Sequence, residues 1–233
     1  TTTAAAIYSI LLDLGYKVAL QGTRGFFIND ERVEDYSLTT PVQLGNFAHI
    51  QKAMQNNCDF FVMEVSSHAI EQKRIEGLEF ALKIHTNITR DHLDYHKTIE
   101  EYIRVKNLFL SDESKKLINI DDKVVKFNPI NAFTYSLENS SNFKVLKYEL
   151  KDSMNVEFLY ENKNYKFSTN MMGIFNIYNL LGAISAVYIT TNEKLENICK
   201  VVEKFSSISG RMEIVSIKPL IIVDFAHTPD GMD

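Results

Sequence analysis

The sequence predicts an α/β fold, a mostly parallel sheet flanked by helices, with a small antiparallel β subregion in its second half. Two observations predict it. Between residue 1 and about residue 125, short runs apolar enough to be buried on both faces alternate with helical patterns. Strands without a wet face, separated by helices, are the pattern of a parallel sheet covered by helices. From about 132 to 169 the pattern changes to short alternating runs, "NFKVLKYEL", "MNVEFLYEN" and "KNYKFSTN", broken by Asn, Ser and Lys. That pattern reads as antiparallel hairpins.

The elements follow in chain order. Ala4, Ile7, Ile10, Leu11 and Leu14 recur as one buried helical face requires, and Gly15 closes the helix. Residues 17–20 are a short apolar strand. A helix at 41–55 leads to a buried strand at 60–65, and a further strand stands at 82–86. The helix at 99–110 has an apolar face of Ile99, Tyr102, Ile103, Phe109 and Leu110, and a strand follows at 116–120. Beyond the hairpins, helices at 174–190 and 195–205 precede strands at 212–217 and 220–225. No repeat, linker or low-complexity segment interrupts the order.

Composition narrows the function class. The 233 residues suit one large or two small domains, and 45% hydrophobic with 24% charged residues are ordinary globular values. With 25 Lys plus Arg against 30 Asp plus Glu the net charge is −5, so no basic surface points to nucleic acid or anionic lipid. Any phosphate binding must be local. Cys58 and Cys199 fit neither a disulfide framework nor a zinc cluster, which points to a reducing, cytoplasmic setting. With no run of 18 apolar residues, no membrane span is expected.

Chemistry concentrates at four places. The chain opens "TTTAAAIYSI", with hydroxyl residues at the front of a helix. Threonines there either cap the helix or supply the magnesium-binding hydroxyl of a phosphate loop. Glu64, in "FFVMEVSSHAI", falls at a strand end, where open parallel sheets place ligands; it suits a metal or is an ordinary exposed glutamate. His85, Asp91, His92, Asp94 and His96 crowd into "HTNITRDHLDYH" after another strand end. They can ligate metal or move protons, although the spacing matches no zinc template and Asp also caps helices. Lys106 lies on the apolar stripe of its helix, half-buried, a position that requires a snorkelling stem or a paired or modified amine.

The ordered set of motifs closely resembles the central ATP-binding domain of the Mur ligases, most specifically the UDP-N-acetylmuramoyl-tripeptide synthetase (MurE) branch. The resemblance rests on "TTP" at 39–41, "MEVSSHAIEQKRIEG" at 63–77, "TNITRDHLDYH" at 86–96, "VKNLF" at 105–109, "GIFNIYN" at 173–179, "SGRME" at 209–213 and "VDFAHTPDGM" at 223–232. It implies a phosphate-loop type domain over residues 1–222 with a β insertion at about 132–169. Residues 223–233 would open a linker to a C-terminal domain. The uridine-binding N-terminal domain, the C-terminal domain and the Gly-rich loop with its lysine would all lie outside this chain.

The resemblance also implies roles. Thr1, Glu64 and His92 match magnesium ligands, and Lys106 matches a lysine carbamylated by carbon dioxide that binds a second metal. Thr39, Thr40, Ser66, Gln72 and Arg74 match positions that hold the uridine-linked muramoyl dipeptide. Thr1, Asn179, Arg211, Asp224 and His227 match nucleotide contacts. The implied activity is ATP- and Mg2+-dependent addition of meso-diaminopimelate or L-lysine to UDP-N-acetylmuramoyl-L-alanyl-D-glutamate through an acyl phosphate, by a cytoplasmic monomer. A folylpolyglutamate synthase-type ligase and a nucleotide-binding module without turnover are the alternatives. A pure binder has no need of Glu64, His92 and a buried Lys106 together.

Overall fold

The computed structural model describes residues 1–35, 38–151, 153–206 and 210–226. Helix α1 (Thr2–Asp13) forms from an alanine-rich stretch that buries Ala5, Ala6, Ile7, Ile10 and Leu11. It ends where Gly15 turns to φ +93°, with the Gly15 amide on the Leu12 carbonyl at 2.9 Å and the Tyr16 amide on the Leu11 carbonyl at 3.0 Å. This paired closure satisfies carbonyls that a helix end otherwise leaves bare.

Strand β1 (Val18–Gly22) is buried throughout, whereas the hairpin β2 (Gly25–Ile28) and β3 (Glu31–Glu34) was not expected from the sequence. Its last strand is mostly charged and exposed, so it carries little apolar signal. Helix α2 (Gln43–Gln55), strand β4 (Phe60–Met63) and the short helix α3 (Ser67–Glu71) follow. Next come β5 (Lys83–His85), α4 (Leu93–His96), α5 (Ile99–Leu108), β6 (Lys116–Asn119) and β7 (Ala132–Ser136). The meander β8 (Phe143–Leu150), β9 (Met154–Tyr160) and β10 (Lys163–Thr169) leads to α6 (Phe175–Thr190) and α7 (Leu195–Val202). A ribbon of β11 (Glu213–Ile217) and β12 (Leu220–Val223) ends the described chain.

The strands build a sheet ordered β3-β2-β1-β4, a second ordered β10-β9-β8-β7-β6-β5, and the separate ribbon. β1 runs parallel to β4, and β5 to β8 run parallel to one another. The antiparallel region therefore begins at β8 rather than at residue 132, because the 120–131 segment carries the chain back so that β7 enters alongside β6. The meander extends the same sheet.

Buried residues of α1, α6 and α7 pack with Val18, Leu117, Tyr135, Phe143 and Phe158 in one core. Ala19, on the other face of β1, joins Phe26, Ile28 and Ala53 of α2 in a second. β1 is thus covered on both faces, as its continuous apolar run requires. Among the described residues no helix is long and apolar enough to cross a membrane.

Candidate functional site

The register of β1 on β4 builds the centre of the site. Gln21 pairs with Met63 and the ladder continues with the Glu64 amide on the Gln21 carbonyl at 2.9 Å, so Gly22 and Glu64 leave the sheet together at its C-terminal edge. A Cβ on Gly22 would stand 2.2 Å from Glu64 Oε1, and the glutamate fills the space that this glycine leaves. Thr1 donates its hydroxyl to Glu64 Oε2 at 2.9 Å and makes no side-chain cap on α1. Thr23 donates its amide to Oε1 at 3.3 Å and its hydroxyl to Oε2 at 3.0 Å. The Thr1 hydroxyl is thus engaged by the acidic residue and not by the backbone of its own helix.

This donor set fits magnesium. It is all oxygen, from a carboxylate and hydroxyls, as a small hard cation prefers. Bonds of about 2.1 Å at right angles place neighbouring ligand atoms about 3 Å apart, and the two hydroxyl-to-Oε2 distances are 2.9 and 3.0 Å.

The predicted substrate residues surround this edge. Thr39 Oγ1 is 3.2 Å from Thr23 Oγ1. Thr40 is fully buried, donates its hydroxyl to the Glu64 carbonyl at 2.9 Å and accepts the Ser66 amide at 3.0 Å. Ser66 caps α3 through Ala69. Arg74 donates Nη1 to the Thr40 carbonyl at 2.8 Å, and Nε and Nη2 to Gln72 Oε1 at 3.0 and 2.6 Å; Gln72 in turn donates to the Tyr95 hydroxyl at 2.9 Å. The turn that carries Arg74 closes α3 with Lys73 at φ +54°, a conformation that costs a side-chain-bearing residue about 1 kcal/mol.

His92 sits at φ +53°, again left-handed, a strain that concentrates at functional positions. Its ring lies edge-on to His68 at 5.1 Å and to Tyr102 at 6.0 Å. His96 is buried, with Nε2 2.8 Å from the Ser67 hydroxyl. Burial, then the His92 and His96 rings, hold His68 below the usual imidazole range, which favours the neutral form. Among the described residues no three His, Cys, Asp or Glu side chains are grouped to hold a metal.

Lys106 is half-buried, as expected, and lines a 390 Å³ cavity with Met63, Val65, Ile84 and His85. Among the described residues no acid pairs with its amine, and burial pushes its pKa down. Asn179 accepts the Thr3 hydroxyl at 3.0 Å and so meets the first turn of α1. Arg211 instead lies over the Phe225 ring at 5.0 Å, and Asp224 accepts the Met212 amide at 2.7 Å. Both flank the terminal ribbon, and among the described residues neither forms a hydrogen bond or ion pair with Glu64, Thr1 or Thr23. His227 lies outside the described residues. Sequence reasoning missed Gly22, Thr23, His68 and Tyr95; a Gly-Thr pair directly after a strand was the available signal for the first two.

The depressed Lys106 pKa predicts a stability effect. The folded state sheds this proton more readily than the unfolded chain, so the amine's cost is full below its folded pKa. It is relieved as pH rises toward the unfolded value of about 10.4. Lys106→Met in the full-length protein, in CO2-free buffer, is expected to flatten that part of the stability-pH curve. It should also raise the melting temperature at pH 7, by about 2–4 °C for each kcal/mol recovered. An unchanged or lower melting temperature contradicts a desolvated amine.

The Mur ligase middle domain profile matches residues 1–187. A 2,6-diaminopimelate ligase of UDP-N-acetylmuramoyl-L-alanyl-D-glutamate from Wolinella succinogenes is 56% identical over 232 residues, covering 100% of this chain and 54% of the relative. The chain thus spans about half the length of the curated relatives it matches. A solved structure of a ligase with the same name superposes with a TM-score of 0.84 at 26% identity, covering 100% of this chain and 50% of that one. Folylpolyglutamate synthetase from Lactobacillus casei has a TM-score of 0.71 at 16% identity, over 99% of this chain and 66% of that one, a likeness of fold alone.

Proposed function

The chain belongs to the Mur ligase family, matching its middle domain, and on that premise we propose that the whole protein is an ATP-dependent ligase joining 2,6-diaminopimelate to UDP-N-acetylmuramoyl-L-alanyl-D-glutamate. The single observation that carries the reading is the Glu64 carboxylate held by the Thr1 and Thr23 hydroxyls at the C-terminal edge of β1 and β4. The names of the relatives support the choice of diaminopimelate over L-lysine.

In the proposed reaction the γ-phosphoryl group of ATP passes to the D-glutamate carboxylate. The amine of the incoming diamino acid then attacks the acyl phosphate, an amide bond forms and phosphate leaves. Glu64 and Thr1 hold Mg2+ on this reading, with His92 and a carbamylated Lys106 toward a second ion. Bound there, magnesium screens the repulsion between two anionic reactants and stabilises charge on the transferring group. Burial lowers the Lys106 pKa and so raises the share of neutral amine, the form that adds CO2 to give a carbamate with release of a proton. Thr39, Thr40, Ser66, Gln72 and Arg74 orient the muramoyl dipeptide, and Arg74 keeps N–H groups beyond its contacts to Thr40 and Gln72 for an anion. Thr1, Asn179, Arg211, Asp224 and His227 serve the nucleotide. A cytoplasmic monomer is part of the same proposal.

The test is ATP-dependent phosphate release by the full-length protein with UDP-N-acetylmuramoyl-L-alanyl-D-glutamate, offering 2,6-diaminopimelate and L-lysine separately. Release with diaminopimelate is expected. A folded, ATP-binding protein silent with both acceptors overturns the reading.

A further inference from the structure

Beside the site lies a polar chain that none of the roles above uses. Asn46, in the first turn of α2, and Gln21 of β1 are both fully buried. The Asn46 amide donates to the Pro41 carbonyl at 3.2 Å and to the Arg74 carbonyl at 2.7 Å, and its Oδ1 accepts Gln21 Nε2 at 2.9 Å. Gln21 Oε1 is 2.7 Å from His49 Nδ1, and the His49 ring stacks on Phe26 at 4.1 Å.

The orientation of the chain is determined by its ends. Two carbonyl oxygens face one edge of the Asn46 amide, so that edge must be the NH2 and the opposite edge the acceptor for Gln21. Both hydrogens of the NH2 are used. One side chain thereby joins three segments remote in sequence: β1 just before Gly22, the Thr39-Thr40-Pro41 stretch, and the turn carrying Arg74. The guanidinium of Arg74 lies back on Thr40, so Asn46 and Thr40 hold this residue from its backbone and its side chain.

We infer that Asn46 is a positioning residue for the muramoyl substrate: it never touches that substrate, but sets the Arg74 turn and the Thr39-Thr40 segment that would bind it. The inference rests on the substrate role proposed above for those residues. The turn is the part that would give way. Lys73 within it is already left-handed, and Gln72 and Lys73 are exposed. Loss of the amide leaves two carbonyls without a donor, and moving the turn toward water is the least costly way to satisfy the one on Arg74.

The experiment compares full-length wild type with Asn46→Asp, which keeps the shape but, even protonated, can donate to only one of the two carbonyls. Asn46→Ser, uncharged, is run in parallel in case the buried carboxylate prevents folding. The readouts are the Kd and KM for UDP-N-acetylmuramoyl-L-alanyl-D-glutamate, the KM for ATP, and kcat. Both constants for the muramoyl nucleotide are expected to rise about tenfold or more, the size of one lost buried hydrogen bond of about 1.4 kcal/mol. The KM for ATP should stay within about twofold. A folded variant with unchanged muramoyl affinity, or one in which both KM values rise together, overturns the inference alone. A wild type that does not bind the muramoyl nucleotide overturns the functional reading and this inference with it.

Discussion

Glu64→Ala in the full-length protein is expected to lower turnover about a thousandfold, a barrier increase of roughly 4 kcal/mol, at saturating ATP and muramoyl substrate. The carboxylate accepts three hydrogen bonds, from the Thr1 hydroxyl and from the Thr23 amide and hydroxyl. The two Thr23 donors are exposed and the Thr1 hydroxyl is part-buried, so water replaces most of the lost acceptor and the folded state should lose only about 1 kcal/mol. Glu64→Gln separates charge from shape. It keeps an oxygen for the hydroxyls and removes the negative charge, so its turnover should fall nearly as far. Near-normal phosphate release by either variant removes Glu64 from the metal role. Partial recovery at high Mg2+ is expected, because a weakened site fills by mass action.

Gly22→Ala is expected to fold and yet lose at least about a hundredfold in turnover, because a displacement of about 1 Å at a reacting site is enough for that loss. The added methyl would meet Glu64 at 2.2 Å to Oε1, 2.6 Å to Cδ and 2.8 Å to Cγ, closer than atoms pack. The obstacle is the far end of a flexible side chain, so the glutamate swings away and the strand stays. The carboxylate then leaves the Thr1 and Thr23 hydroxyls. A melting temperature close to wild type with lost activity is the expected pair of results. Wild-type turnover in this variant shows that the observed Glu64 position is not the working one.

Much of the fold was legible in the sequence, for reasons that differ by element. β1 was readable through the apolar run at 18–20 and β6 through Leu117 and Ile118, although both strands also bury polar residues, Gln21 in the first and Lys116 and Asn119 in the second. α1 was readable through its periodic face and its closing glycine, and the meander of β8 to β10 through its alternation. The hairpin β2-β3 was not, because its edge strand is charged and its turn lies in only two residues, with Asn29 at φ +51°. α3 and α4 are too short to show a helical period. The direction of β7 was misread because alternation marks a strand but says nothing about which neighbour it joins or which way it runs.

The site divides along the same line. That Glu64 and the His92 cluster follow strand ends, and that Lys106 sits on an apolar stripe, are local facts, fixed by period and by where an apolar run stops. The amino-acid order alone settles them. That Thr1 turns to Glu64 instead of capping its helix, that Gly22 makes room for the carboxylate, and that Asn46 joins Pro41, Arg74 and Gln21 are decided only in three dimensions. Each depends on β1 and β4 lying parallel in one register. A shift of that register by one residue would carry Gly22 away from Glu64 and turn every side chain of the strand to its other face. A hydrogen bond between distant segments has no trace in either segment's own pattern, because its energy exists only when packing has brought both partners out of water together.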